Sequence, residues 1–395
     1  MAARDTTRVE PAATVPRVLG RIRGEMPGPT LLVVGAIHGN EPAGIAATRR
    51  VLDRIEAEKP RLRGQFVALA GNLQALERGS RFVDKDLNRR WHPRQVGALR
   101  GTVPASVDAA EDREQVELLE AIDECLEGAT GESFFLDLHT CSASGCPFVT
   151  VGDTLRNRSF ASNFPLPLIL GLEEQVDGAL LEYLNNLGLV TLGVEGGRHD
   201  DPSSVDHLEA VLWMALVAAG LLPDDLPGLD EHRALLERAA AGMPRVIEVR
   251  YRYGVRAGDG FRMKPGFKNF HAIHKGDMLA RDDCGEIRAP SNGRILLPLY
   301  QGQGDDGFFL ARDVKPLWLK TSETLRRLRI GNLVRYLPGV RPHHEWYGTL
   351  VVDTRVARYF PLDLLHLLGY RKLRREGSFL LVNRRRFDIA PPSRS

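Results

Sequence analysis

The sequence predicts an α/β protein, with a sheet of mainly parallel strands in its first half and a small all-β domain in its second half. An apolar run ending at Gly35, helical spacing from Pro42 to about Ala57 and a second apolar run from Gln65 to Ala70 form a β-α-β unit, which favours parallel strands. From Arg245 onwards, short β-rich segments alternate with glycines, as in small all-β domains. The length of 395 residues exceeds the usual size of one core, so more than one domain is expected.

The composition argues for a globular protein without a general affinity for membranes or nucleic acids. The formal net charge is +2, and no run of about 18 apolar residues is present. The amino-terminal residues lack the apolar core of a signal peptide, so a cytoplasmic location is expected. The cysteines are too few and too scattered for a disulfide framework; they are Cys125, Cys141, Cys146 and Cys284.

The first candidate site follows the first buried strand. A short edge strand is expected from Val18 to Ile22, and the apolar run from Leu31 then ends in a turn that contains His38 and Glu41. An imidazole and a carboxylate three residues apart at a strand end can converge on one divalent cation, and Zn²⁺ suits this donor set. A solvated surface pair is the simpler alternative. Pro42 suits the first position of the following helix. The glycines that allow close backbone approach at this turn are Gly35, Gly39 and Gly44.

The segment from Arg81 to Trp91 predicts a loop that contacts a substrate. Charged and amide groups crowd around a few apolar residues, which would make a poor core element. Arg89 offers a planar fork that matches a carboxylate with two hydrogen bonds, and Asn88 can add an amide donor. Arg81 can supply a fixed positive charge near a developing oxyanion. The alternative is a surface loop held by Arg–Asp pairs.

Two further strands end in polar residues. The run from Ser133 ends at His139, a third candidate metal ligand, and Asp137 shares its face of the strand and can orient the imidazole. The run from Gly188 ends at Glu195, a candidate general base beside a metal-bound water. Because ligands bind at the carboxyl ends of strands in open α/β sheets, these residues form one predicted site. A structural histidine and a capping carboxylate are the alternatives. Cys141 and Cys146 follow His139 closely, but small buried thiols are the favoured interpretation.

The remaining segments of the first half supply the connections. Helices are predicted from Glu111 to Leu126, from Asp177 to Leu187 and from Asp206 to Gly220. A further short strand is predicted from Pro165 to Leu172, and residues 92 to 112 are expected to form a loop.

The second half predicts a small all-β domain and a basic end. A linker with one helix is expected from Pro223 to Gly242, followed by short strands up to about residue 299. Tyr300 stands in a glycine-rich segment from which it can reach a bound substrate. From about Glu323 the chain is basic, with arginine and lysine clusters. The tyrosines and tryptophan interleaved with these clusters are Tyr336, Trp346, Tyr347 and Tyr359. A solvated basic face is favoured over a contact with nucleic acid, since no known binding motif is present.

Four motifs in this order resemble the succinylglutamate desuccinylase/aspartoacylase family of zinc carboxypeptidase-like hydrolases. The motifs are Gly-Ala-Ile-His38-Gly-Asn-Glu41, Asp86-Leu-Asn88-Arg89, Asp137-Leu-His139 and Val-Glu195-Gly-Gly. The resemblance covers roughly residues 17 to 315. It implies a carboxypeptidase-like mixed sheet flanked by helices over residues 17–222, then a lipoyl/biotinyl-like barrel over residues 243–318. Residues 323–395 would form a short α/β appendage.

The resemblance also implies roles for single residues. One Zn²⁺ per chain would be held by His38, Glu41 and His139. Glu195 would act as the general acid and base, and Arg81 would polarise the scissile carbonyl. Asn88 and Arg89 would hold a substrate carboxylate. In aspartoacylase-like members an arginine about ten residues before the catalytic glutamate helps to hold an acidic side chain, whereas this chain has Glu182-Tyr-Leu-Asn-Asn there. This departure argues against N-acetylaspartate and succinylglutamate as substrates.

The sequence therefore predicts a zinc-dependent hydrolase that removes an acyl group from a small N-acyl amino acid with a carboxylate. One alternative is a metallocarboxypeptidase that trims a C-terminal residue from a peptide. Another is a non-catalytic binding protein that uses the basic C-terminal region, which salt-dependent binding of nucleic acid would support. The ligand set does not exclude a divalent cation other than Zn²⁺, because geometry and availability also select the metal.

Overall fold

The apolar runs of the first half form buried strands. The computed structural model describes residues 15–344, 348–356 and 362–392. The strands of the first half are β1 (Val18–Arg23), β2 (Met26–Gly35), β3 (Arg63–Ala70), β4 (Ser133–Cys141), β5 (Phe148–Thr150), β6 (Leu168–Leu170) and β7 (Val190–Arg198). Each run that was predicted as a strand in this half is observed, with ends that shift by a few residues.

Helices connect these strands. They are α1 (Ala43–Glu58), α2 (Leu73–Arg78), α3 (Pro93–Leu99), α4 (Ala110–Glu127), α5 (Leu155–Ala161), α6 (Leu180–Leu187), α7 (Ser203–Ala218) and α8 (Leu229–Ala239). The expected loop between residues 92 and 112 is wrong in part, because α3 begins at Pro93 within it. Proline suits the first turn of a helix, where its missing amide donor is not needed. None of the helices in the described part of the chain is long and apolar enough to cross a membrane.

The core lies on both faces of the sheet. Strand β2 places Leu31 and Val33 on the face covered by α1 and α7, and Leu32 and Val34 on the face covered by α4 and α6. This alternation follows from the two-residue period of a strand, and it explains why the run is apolar throughout.

The second half extends the same sheet. Its strands are β8 (Val246–Gly254), β9 (Arg262–Met263), β10 (Ala272–Ile273), β11 (Met278–Asp282), β12 (Gly285–Arg288), β13 (Gly293–Leu296) and β14 (Asp306–Asp313). The large sheet has the order β1-β3-β2-β4-β7-β5-β6-β8-β14-β13-β10, and β12-β11-β9 form a small sheet. Strands β2, β3, β4 and β7 are parallel, whereas β1, β5 and β14 pair antiparallel with neighbours, so the sheet is mixed, as predicted.

The predicted β-rich segment thus joins the first half through main-chain hydrogen bonds. Strand β8 pairs in parallel with β6, with Leu168 opposite Val246. The boundaries of a separate barrel domain over residues 243–318 stay a prediction.

The C-terminal region has its own small sheet. Its elements are α9 (Pro316–Arg327), β15 (Val340–Pro342), β16 (Thr349–Asp353), α10 (Leu362–Leu367), β17 (Tyr370–Glu376) and β18 (Phe379–Arg384). The antiparallel order is β15-β16-β18-β17, and its core contains Leu350, Leu365 and Val382. Of the aromatic residues predicted in this region, Tyr336 is exposed, and Trp346, Tyr347 and Tyr359 lie outside the described residues.

Buried ion pairs attach the C-terminal region to the first half. Arg326 of α9 is fully buried, and its Nη2 lies 2.8 Å from Oδ2 of Asp153, while its Nη1 lies 3.3 Å from Oδ1 of Asp388. Burial alone would raise the pKa of Asp153, but Arg158, Arg326 and Arg385 hold it well below its usual range. Asp388 also accepts a hydrogen bond from the amide of Leu155.

Replacing Arg326 by methionine is expected to lower the free energy of unfolding by about 3 to 5 kcal/mol, because it leaves Asp153 and Asp388 buried without this cation. Urea unfolding followed by fluorescence measures the change. Arg327→Met is the matched control, since that side chain is 61% exposed and pairs with Glu323 one turn away on the same helix; its effect should stay within about 0.5 kcal/mol. Equal unfolding midpoints for the two variants would contradict the structural role of Arg326.

Candidate metal centre and active site

The predicted site residues meet at one edge of the large sheet. Strands β2, β4 and β7 are adjacent and parallel, so their carboxyl ends lie side by side. His139 of β4 is directly opposite Glu195 of β7 in the register. His38 and Glu41 follow the end of β2. The motifs that end these strands therefore lie close together in space.

The turn after β2 depends on glycine. A Cβ atom on Gly39 would lie 2.0 Å from the carbonyl carbon of Ala75 in α2, and one on Gly35 would lie 2.9 Å from the carbonyl carbon of Gly44. Both distances are too short for real carbon contacts, so the backbone segments can approach only without side chains. This close approach places His38 and Glu41 against the sheet edge.

His38, Glu41 and His139 form a compact donor group. Oε1 of Glu41 lies 2.9 Å from Nδ1 of His38, and Oε2 lies 3.0 Å from Nδ1 of His139. One ligand atom from each residue lies within 4.8 Å of the others. Two imidazole nitrogens and a carboxylate oxygen are the donor set of many catalytic zinc sites.

A buried carboxylate orients each imidazole. Nε2 of His38 lies 3.2 Å from Oδ1 of Asp86, and Nε2 of His139 lies 3.1 Å from Oδ2 of Asp137. When Nε2–H donates to a carboxylate, the lone pair of Nδ1 is free for a metal. The role predicted for Asp137 matches this geometry. Sequence reasoning missed the equivalent role of Asp86. This residue is 48 positions after His38, and no local spacing connects the two.

The electrostatics of this group favour a cation. Burial would raise the pKa of Glu41, but His38 and His139 hold it well below its usual range. Burial would lower the pKa of His139, but Asp137 and Glu41 raise it well above its usual range. Carboxylates that favour a proton on His139 would also favour a metal ion between the imidazoles. The residues present therefore fit a divalent cation.

Glu195 lies beside this group. Its Oε2 is buried and has no hydrogen-bond partner among the described residues. Burial raises the pKa of Glu195 to about 8, with His139 opposing the shift and Glu41 adding to it. A carboxyl group that titrates near neutral pH can both accept and release a proton.

Arg81 and Asp86 form a pair next to the metal ligands. Nη2 of Arg81 lies 3.0 Å from Oδ2 of Asp86, and Nη1 lies 3.7 Å from Oε1 of Glu41. The guanidinium is therefore fixed beside the predicted ligands, where the resemblance implies a role in polarising a carbonyl.

Asn88 and Arg89 lie on a short 3₁₀ turn. This turn borders a cavity that is also lined by His38, Glu41 and His139. Oδ1 of Asn88 accepts a hydrogen bond of 2.9 Å from the amide of Leu180. Nη2 of Arg89 lies 2.6 Å from Oδ2 of Asp306 at the start of β14, whereas its buried Nε has no partner in the described part of the chain. The guanidinium predicted as a carboxylate clamp is thus already held by one protein carboxylate.

Tyr300 is the predicted site residue that the structure does not bring to the cavity. Its hydroxyl donates to the carbonyl of Lys264 at 2.9 Å and accepts from the amide of Phe267 at 3.0 Å, so it stabilises a neighbouring loop. The next residue, Gln301, lines the cavity instead.

Sequence reasoning missed a hydrogen-bond chain across the cavity. The hydroxyl of Thr140 donates to Nδ1 of His199 at 2.8 Å, and Nε2 of His199 donates to Oε1 of Gln301 at 3.0 Å. Asn40 donates to the same oxygen at 2.8 Å. These contacts tie the segment before β14 to the metal-site turn. His199 follows Glu195 closely, but no spacing pattern distinguishes it from a surface histidine.

The site opens into a cavity of about 160 Å³. Its lining includes all the predicted ligands, Glu195, Arg81, Asn88 and Arg89. Glu182, from the segment where the family resemblance breaks down, also lines it.

Comparisons with known proteins agree on one family. Residues 27–210 match the succinylglutamate desuccinylase/aspartoacylase catalytic domain. Succinylglutamate desuccinylase of Pseudomonas putida KT2440 is 39% identical over 67 residues, which cover 17% of this chain and 20% of that protein. The enzyme of Pseudomonas fluorescens SBW25 is 32% identical over 117 residues, covering 29% of this chain and 31% of that protein. The chain thus matches less than a third of the length of each of these curated relatives.

Solved structures share the fold over a longer stretch. The product-bound ectoine utilization protein EutE (DoeB) from Ruegeria pomeroyi has a TM-score of 0.54 at 20% identity, covering 74% of this chain and 87% of that one. A succinylglutamate desuccinylase/aspartoacylase from Rhodobacter sphaeroides has a TM-score of 0.53 at 18% identity, covering 75% and 88%. At these identities the likeness establishes the fold.

Proposed function

The chain belongs to the succinylglutamate desuccinylase/aspartoacylase family through its residues 27–210, and on that premise we propose that it is a zinc-dependent amide hydrolase. The proposed reaction removes the acyl group from a small N-acyl amino acid, or a related compound, that carries a carboxylate. One Zn²⁺ per chain is the proposed cofactor.

The observation that carries this proposal is the convergence of His38, Glu41 and His139 with Glu195 beside them. Both imidazoles turn Nδ1 toward Glu41, and each has its Nε2 against a buried carboxylate. Such an arrangement would be costly to bury without a function, because polar and charged groups lose hydration there. A Zn²⁺ ion held by His38, Glu41 and His139 would supply a Lewis acid that activates water near neutral pH and polarises a carbonyl.

Glu195 is the proposed proton carrier. Its Oε2 has no protein partner in the described residues, so it is available to take a proton from the attacking water. The same carboxyl group then gives that proton to the amide nitrogen as the amine leaves. A pKa near 8 suits both steps, since neither protonation state is strongly disfavoured.

The arginines would act on the substrate. Arg81 is held by Asp86 and carries its positive charge beside the metal ligands, where it can stabilise negative charge on the carbonyl oxygen. Arg89 keeps Nε unpartnered, and this donor, with the amide of Asn88, is proposed to bind the substrate carboxylate.

The experiment that tests this function is amine release by the zinc-loaded protein from N-acetyl amino acids. We expect hydrolysis of the free acids and little hydrolysis of their methyl esters, because the ester removes the charge that Arg89 would bind. A metal-stripped sample is the control. Zinc-loaded protein that hydrolyses neither N-acyl amino acids nor peptides would contradict the proposal. Hydrolysis of N-blocked dipeptides alone would favour the metallocarboxypeptidase instead.

A further inference from the structure

The charge of the cavity wall is strongly unbalanced. Among the described residues that line it, two are arginines, Arg81 and Arg89, and seven carry carboxylates. The carboxylates belong to Glu41, Asp137, Glu173, Glu182, Glu195, Asp305 and Asp306. A small-molecule site with this lining favours a cationic group on its ligand.

The proposed mechanism accounts for only part of this charge. Glu41 and Asp137 belong to the metal group, Glu195 carries the proton, and Asp306 pairs with Arg89. Asp305 is exposed, so solvent screens its charge. Glu173 and Glu182 remain, and we call these two residues the acidic wall.

Glu173 has a carboxylate oxygen without a partner. Its side chain is only 6% exposed, and its Oε1 lies 2.8 Å from Nη1 of Arg385. Its Oε2 is buried and makes no hydrogen bond within the described residues. Burial raises the pKa of Glu173 although Arg385 opposes the shift, so a cation near this carboxylate would stabilise its charged form.

The C-terminal region holds the acidic wall from behind. Arg385 contacts Glu173, and Arg371 of β17 forms an ion pair with Glu182 of α6. Neither arginine is among the residues that line the cavity, whereas both glutamates are. The arginines therefore fix the glutamates in place without presenting positive charge to a ligand.

Among the described residues that line the cavity, neither arginine is free to bind a second carboxylate on the substrate. Arg81 is paired with Asp86, and Arg89, which the proposed function assigns to one carboxylate, is already shared with Asp306. The further carboxylate of a dicarboxylic substrate would face the acidic wall and be repelled. An ammonium group in the same place would gain charge-assisted hydrogen bonds.

We infer that the acidic wall determines specificity by binding an ammonium group on the substrate side chain, so that the substrate class is the N-acylated diamino acids. This inference rests on the proposed deacylation and names its substrate.

The test compares three substrates of the zinc-loaded wild-type protein. Nα-acetyl-L-ornithine carries the ammonium group, Nα-acetyl-L-norleucine replaces it with a methyl group of the same reach, and N-acetyl-L-glutamate carries a carboxylate. We expect kcat/KM for the ornithine compound to exceed that for the norleucine compound by about 10- to 100-fold, as for a hydrogen bond to a charged group. A preference for the glutamate compound would overturn the inference.

Variants locate the effect. Glu173→Gln and Glu182→Gln should each lower kcat/KM for the ornithine compound and leave the norleucine compound nearly unchanged. Glu174→Gln is the matched control, because Glu174 also pairs with Arg385 in the same network but does not line the cavity. It should keep the preference. Loss of the preference in Glu174→Gln alone, or equal losses on both substrates in the wall variants, would show a structural role only.

A binding measurement separates this inference from the proposed function. Calorimetry with L-ornithine and L-norleucine, the amine products, requires no turnover. If the protein hydrolyses none of the three substrates but binds L-ornithine more tightly through Glu173, the acidic wall stands and the deacylation fails. If L-norleucine binds as tightly as L-ornithine, the acidic wall fails whatever the activity.

Discussion

Glu195→Gln is expected to lower kcat by about 10²- to 10⁴-fold, the usual contribution of a general acid or base. Glutamine keeps the size and the hydrogen-bonding atoms of the side chain but cannot take a proton from water. Glu195 is not one of the proposed metal ligands, so zinc content and KM should stay close to those of the wild type. Steady-state kinetics on the best N-acyl substrate, with elemental analysis of the same sample, measure both quantities.

Two outcomes would contradict this role for Glu195. Wild-type turnover in a fully zinc-loaded variant would show that another group moves the proton. A variant that loses zinc together with activity would show that Glu195 supports the metal site rather than the proton transfer. Thermal unfolding of the variant checks that the fold is retained.

The double variant His38→Ala with His139→Ala is expected to lose the metal and, with it, all measurable turnover. The wild type should contain about one zinc per chain, because only one complete ligand group is found in the described residues. Removing two of three donors leaves Glu41 alone, which is too few for a stable zinc site. Elemental analysis after dialysis against zinc measures the content.

His199→Ala is the matched control for this experiment. His199 lines the same cavity but lies outside the ligand group. Its Nδ1 contacts Thr140, and its Nε2 contacts Gln301. This variant should retain zinc. A double variant that binds zinc as the wild type does would place the metal elsewhere, and a wild type that cannot be loaded with any divalent metal would remove the proposed mechanism.

The alternative of a nucleic-acid-binding protein loses part of its basis in the structure. It depends on the basic residues of the C-terminal region. Arg326, Arg371 and Arg385 point to carboxylates of the first half, and Arg326 and Arg385 are almost fully buried. These three guanidiniums are therefore not presented to phosphates.

The metal group was predictable because each of its signals is local. His38, Glu41, His139 and Glu195 directly follow or end their strands, and the ends of adjacent parallel strands meet. The order of the motifs along the chain was enough to predict which side chains would converge. The glycines at Gly35 to Gly44 were predictable for the same reason, since they belong to the turn itself.

The rest of the site depends on contacts between distant segments. Arg89 and Asp306 are 217 positions apart, and His199 and Gln301 are 102 positions apart. No periodicity connects such pairs before the sheet topology is known. In the irregular segment before β14, the sequence also does not show which of two neighbouring side chains enters the cavity. It points to Tyr300, whereas Gln301 lines the cavity.

The prediction of the short helix α3 failed for a different reason. Helix α3 has seven residues, and only Val96 and Leu99 are buried. Two apolar positions do not establish a helical period, so the segment could not be distinguished from a loop.

The contacts of Arg385 also have a consequence for synthesis on the ribosome. This residue is 211 positions after its partner Glu174, so at about 5 to 20 residues per second it is added about 10 to 40 s later. During that interval the nascent chain already contains the metal ligands, while the carboxylates beside the cavity have no cation from this region. If the acidic wall selects the substrate as proposed, this selection is complete only after Arg371 and Arg385 have been added, and a chain released before then would have the proposed ligands without the arginines that hold the wall.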